Sequence, residues 1–126
     1  MALDLMPPEQ LEAVATRFRL LGDPTRLALL NVLHACGEMP VQALADATGT
    51  THANASKHLR LLDAGGLVAR RPDGPFVYYR IADPMLAAVC TLVCSAVPPP
   101  RRDVPPGRSQ PAACTAETAG GAPVRR

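Results

Sequence analysis

Residues 50–80 constrain this chain most. A helix-forming run, Thr51-His52-Ala53-Asn54-Ala55-Ser56-Lys57-His58-Leu59-Arg60-Leu61-Leu62, is brought to a stop by Asp63-Ala64-Gly65-Gly66. Two short β-prone runs follow at 67–70 and 76–81, joined by Arg71-Pro72-Asp73-Gly74-Pro75. Pro and Gly suit the joining turn, and the valine and aromatic residues around it suit strands. A helix that is polar at its start and runs straight into a basic hairpin leaves few folds open.

Punctuation places the other elements. Pro7-Pro8 precedes a helix predicted over 9–21, where Leu11, Val14, Phe18 and Leu21 recur at helical spacing before Gly22. Asp23-Pro24 supplies an N-cap and a first-turn proline for a second helix over 24–35, with Leu27, Leu30, Val32 and Leu33 mostly inward and Gly37 at its end. Pro40 opens a short third helix over 41–48, closed by Gly49, and the fourth runs over 51–64. After the hairpin at 67–81, Asp83-Pro84 starts a fifth helix over 84–97, which Pro98-Pro99-Pro100 stops. The predicted fold is mainly α with a β-hairpin wing, in the order α-α-α-α-β-β-α, over residues 1–97. Residues 98–126 are rich in Pro, Gly, Ala and Arg, with Val104, Cys114 and Val124 the only larger apolar residues, and are expected to be disordered.

Aromatics make up only 3% of the chain and Trp is absent, so the core must come from Leu, Val and Ala, which favours packed helices. A domain this small gains from a dimer partner. No apolar run is long enough to cross a membrane, and the N-terminus lacks a secretory pattern, so a cytoplasmic protein is expected. In that compartment the four cysteines are expected as thiols, ligands or sensors, not structural disulfides. Residues 1–97 carry eight Lys/Arg against nine Asp/Glu, while 98–126 carry five Arg against two acids. Nucleic acid would therefore be held by a local patch and not by a general positive field. No Gly-rich phosphate loop and no nucleophile–base–orienter set is present, which argues against an enzyme.

A short helix, a turn at Gly49 and a second helix form a helix-turn-helix. Small residues at the start of the second helix permit close approach to the major groove. Thr51, His52, Asn54 and Ser56 offer base-edge donors and acceptors there, and Lys57, His58 and Arg60 sit where phosphates would pass. Arg70, Arg71 and Arg80 of the hairpin suit backbone or minor-groove contacts. The expected partner is double-stranded DNA.

The runs Leu20-Leu21-Gly22-Asp23-Pro24-Thr25-Arg26-Leu27, Ser56-Lys57-His58-Leu59-Arg60-Leu61-Leu62-Asp63-Ala64-Gly65-Gly66-Leu67-Val68, Arg71-Pro72-Asp73-Gly74 and Val77-Tyr78-Tyr79-Arg80 resemble the ArsR/SmtB-type winged-helix repressors over about residues 9–97. The resemblance implies a homodimer joined through its first and fifth helices. It also implies an operator-bound repressor released by a metal ion, a metalloid or a reactive sulfur or oxygen species. One family metal site needs a thiol pair near the third helix, and Gly37-Glu38-Met39-Pro40-Val41-Gln42 has none. Another needs His and acidic ligands along the fifth helix, where Asp83 is the only acid and no His occurs.

That helix instead carries Cys90 and Cys94. A spacing of four puts both on one face, with Cβ atoms about 5–6 Å apart, where two thiolates can converge on one soft ion. Cys114 is a candidate third ligand and Cys36 a possible fourth. Clustered thiolates near the C-terminal helix resemble the family's sensors of thiophilic metals and metalloids, the As(III), Sb(III), Cd(II) or Pb(II) class. Such an ion would be an inducer, with none needed for folding. A redox or persulfide sensor would use the same cysteines. Leu86, Val89, Cys90, Val93, Cys94 and Val97 also suit a plain apolar dimer stripe, since Cys packs as a small hydrophobe.

Overall fold

The computed structural model describes residues 5–98, so Cys114 and almost all of the expected tail lie outside the described residues. Helix α1 (Pro8–Leu21) has a proline in its first turn, where the missing N–H costs nothing, and ends at Gly22. Helix α2 (Pro24–Cys36) is capped by the Asp23 carboxylate, which accepts hydrogen bonds from the backbone N–H of Thr25 at 2.8 Å and of Arg26 at 3.0 Å. Gly37, at φ +80°, turns the chain into a two-residue strand, β1 (Met39–Pro40). Helix α3 (Val41–Thr48) ends at left-handed Gly49, and α4 (His52–Ala64) begins after the Thr51 cap. The hairpin is β2 (Val68–Asp73) and β3 (Phe76–Ile81), and α5 (Met85–Ala96) closes the described chain.

The expected order therefore gains one strand. The sheet is antiparallel in the order β1-β3-β2, with Met39 opposite Tyr79 and Pro40 opposite Tyr78. The first strand of the hairpin also runs further than its sequence suggested. β2 continues through Arg71 and Pro72 to Asp73, which faces Phe76, and only Gly74 and Pro75 are left for the turn. Pro72 is tolerated because β2 is an edge strand, where a missing N–H need not break the ladder.

One core joins α2, α3, α4 and the sheet, and takes in Leu86 of α5, which is buried there and so is not part of an open apolar stripe. Leu29, Leu33, Leu44, Leu59, Leu62, Met39 and Tyr79 are all fully buried in it. Leu30 and Leu33 point inward as expected, but Leu27 is 43% exposed, on the side of α2 that meets α1 and α5. Helix α1 contributes no buried residue. Its Val14, Phe18 and Leu21 line grooves together with Met85, Val89 and Val93 of α5, and an Arg17–Asp83 ion pair ties the two helices at their edge. Two helices thus present an apolar surface that one copy of the chain leaves open.

Candidate nucleic-acid interface and thiol grooves

Helix α4 buries Ala55, Leu59 and Leu62, which fixes what its other faces carry. His52, Ser56 and Arg60 follow at intervals of four and line one wall of a cleft of about 170 Å³. Arg70, Pro75, Phe76 and Val77 of the hairpin line the other wall. Lys57 is exposed. The helix therefore offers a row of imidazole, hydroxyl and guanidinium groups beside the wing. Two of the expected base readers have local duties: the Thr51 hydroxyl accepts from the Asn54 backbone N–H at 3.1 Å, and the Asn54 side-chain amide donates to the Thr50 hydroxyl at 2.8 Å.

His58 turns back into the molecule. Its Nδ1 lies 3.2 Å from a guanidinium nitrogen of Arg26, and the same guanidinium donates to the backbone carbonyls of Leu20 at 2.7 Å and Arg19 at 3.2 Å. This joins the end of α1 to α4.

Strand parity separates the hairpin arginines. Side chains alternate across a strand, and Arg70 has the same parity as buried Val68 and lies opposite Tyr79, on the side of α4. Arg71 lies opposite Tyr78, on the other face, and Arg80 shares that face through its pairing with Ala69. The Arg71 guanidinium is engaged there by Glu38, with Nε 3.1 Å from both carboxylate oxygens and Nη2 2.6 Å from Oε1. The bond from Arg71 holds the Glu38 carboxyl below its ordinary range, and the same contact pushes Arg71 further up. Sequence reasoning missed Glu38, because an isolated acid between a helix and a proline carries no local signal.

The second candidate site is on α5. Cys90 and Cys94, both free thiols, line two apolar grooves. One, of about 470 Å³, runs against α2 and includes Leu27, Leu30, His34 and Leu86. The other, of about 250 Å³, runs against α1 and includes Phe18, Leu21, Val89 and Val93. Burial, and then the neighbouring Cys94, raises the Cys90 thiol above its ordinary pKa. Cys36 is half-buried against the core at the end of α2. Among the described residues no group of three or more His, Cys, Asp and Glu side chains is arranged to hold a metal ion. A third ligand to the α5 pair is therefore not formed by those residues.

The profile of a family described as a helix-turn-helix domain matches residues 21–71. An HTH-type transcriptional regulator of Methanocaldococcus jannaschii is 34% identical over 85 residues, covering 68% of this chain and 96% of that protein. The homodimeric winged helix-turn-helix domain of a possible ArsR-family regulator from Mycobacterium bovis superposes with a TM-score of 0.65 at 34% identity, covering 83% of this chain and all of that one. The chain belongs to the ArsR/SmtB family of winged-helix transcription regulators. Its members are DNA-binding proteins and not enzymes. Among solved relatives of this ArsR/SmtB-family chain is the antimony-specific repressor AntR, at TM-score 0.71 and 28% identity over 77% of this chain and 87% of that one. The Mycobacterium tuberculosis regulator Rv0324 is 42% identical over 83 residues, 66% of this chain, but the match spans only 36% of its length. Among the described residues no helix is long and apolar enough to cross a membrane.

Proposed function

We propose that this ArsR/SmtB-family chain is a homodimeric repressor that holds a two-fold operator through α4 and the hairpin. A thiophilic metal or metalloid of the arsenite, antimonite, cadmium or lead class, captured by the Cys90 and Cys94 thiolates, then releases it. The observation that carries the sensing half is the position of the thiols. They sit one helical turn apart on α5, on grooves bounded by α1 and α2, so a ligand there strains the surface through which two copies would meet. Family membership supports the DNA half, and the antimony-specific relative supports the choice of ligand class. His52, Ser56 and Arg60 with Lys57 and Arg70 are the groups best turned toward DNA. In a two-fold dimer the two α4 helices address successive major grooves about 34 Å apart.

The test is fluorescence anisotropy on the DNA upstream of the gene, with a panel of metals, metalloids and oxidants. Antimonite or arsenite should release wild-type protein but not the Cys90→Ser/Cys94→Ser variant. Full release of that variant returns the two cysteines to a purely packing role. Release by polysulfide or peroxide and by no metal transfers the assignment to redox or persulfide sensing. A regular helix holds the pair about 5–6 Å apart at Cβ, too far for a direct disulfide, so that chemistry would need a longer sulfur bridge or another cysteine.

A further inference from the structure

Of two adjacent arginines on the hairpin, Arg70 faces the reading helix beside the Tyr79 hydroxyl, and Arg71 is held by carboxylates on the other face. Arg71 meets Glu38 in a two-pronged contact, reaches Asp73 with Nη1 at 3.4 Å, and lies over Tyr78 with its guanidinium carbon 4.7 Å from the ring centroid. A phosphate would have to compete with two carboxylates and an aromatic face for this side chain, which is 49% exposed. Glu38 stands immediately before β1, itself only two residues long, and three residues before α3 opens the helix-turn-helix. The contact thus pins the hairpin to the start of the DNA-reading unit, where backbone pairing is shortest.

We propose that Arg71 and Glu38 are a positioning pair that sets the angle of the hairpin against α4, and that the hairpin's phosphate contact falls to Arg70. This rests on the assignment of α4 and the hairpin to DNA. The two roles predict opposite effects of removing Glu38. If Arg71 binds phosphate, neutralising Glu38 frees a cation and removes an anion near DNA, so affinity rises. If Arg71 positions the hairpin, affinity falls.

The experiment measures operator binding by the full chain across a salt series for Glu38→Gln, Arg71→Gln, the double variant and Arg70→Gln. Thermal melting confirms that each is folded. Glu38→Gln and Arg71→Gln should each weaken binding by about two- to fivefold, within the range of a well-formed exposed ion pair. Both should keep the wild-type salt slope, and the double variant should be no worse than either single one. Arg70→Gln should flatten the slope by about 0.9 per protomer contact. Unchanged or tighter binding by Glu38→Gln overturns the proposal, and so does a flattened slope for Arg71→Gln. If Arg70→Gln and Ser56→Ala both bind as wild type, the DNA assignment fails. Residual dipolar couplings of the free protein then decide the pair alone. A hairpin reoriented against α4 in both Gln variants upholds it, and an unmoved hairpin overturns it.

Discussion

Replacing Phe18 with Ala separates the proposed dimer surface from the core. Phe18 is 60% exposed in one copy of the chain and belongs to a helix with no buried residue. A dimer that closes over α1 and α5 would cover it. Full burial of a Phe side chain supplies about 1.5–3 kcal/mol, so covering the exposed part supplies about 1–2 kcal/mol. A two-fold interface uses the residue twice, which makes the loss about 2–4 kcal/mol per dimer. That converts to a dimer dissociation constant about 30- to 900-fold weaker. Sedimentation equilibrium measures this directly, and far-UV circular dichroism of the monomeric fraction checks that the five helices persist. Operator binding should then become steeply dependent on protein concentration, since a single α4 addresses only a half-site. Wild-type dimer affinity in Phe18→Ala would refute the placement of the interface. So would unfolding of the variant at a concentration where the native chain is monomeric and folded, because Phe18 would then belong to the core.

Three further outcomes follow from local geometry. Gly66→Ala should cost about 1–2 kcal/mol in urea unfolding, because a left-handed backbone at φ +76° penalises a Cβ even though nothing lies within 4 Å of it. The Asp23 and Asp83 carboxyls are both held below the ordinary range, chiefly by the backbone N–H of Arg26 and of Met85 respectively. Their stabilisation is complete above the unfolded carboxylate pKa, near about 4, and is lost as pH falls through the lower folded values, so Asp23→Asn and Asp83→Asn should flatten the acid limb of a urea-midpoint profile between about pH 5 and 2. Because the Cys90 thiol is raised, binding of a soft ion must displace its proton at neutral pH, so affinity should climb with pH into the alkaline range and climb less in Cys90→Ser.

The helical frame was legible because its signals are local. Asp23 with Pro24, Gly37, Gly49 and Thr51 each do in the structure what their residue type prefers at a helix end. The features that escaped depend on distant partners. β1 exists only because β3 comes alongside it, and Met39-Pro40 by itself reads as the run-up to a helix. Leu27 carries the same apolar character as Leu30, yet it sits where α2 meets α1 and α5, and helical spacing alone does not say which of two apolar surfaces a leucine serves. The first strand of the hairpin was read as ending at Arg70, not Asp73, because Pro72 looks like a loop residue until the strand order shows that β2 is at the edge.

The hairpin arginines are a different case, since the signal was present and needed only the right period. With strand alternation, Val68, Arg70 and Pro72 fall on one face and Ala69, Arg71 and Asp73 on the other. Val68 is the large apolar residue of the run, so its face must be the inner one, and Arg70 is carried toward α4 while Arg71 is carried away from it. Reading 70 and 71 together as one basic tip ignored that constraint. Parity cannot supply the identity of the partner. Glu38 lies 33 residues before Arg71, and only the folding of α3 and α4 between them brings the carboxylate under the guanidinium. A basic pair on a short strand therefore yields two residues with two different environments, and their chemistry has to be argued one residue at a time.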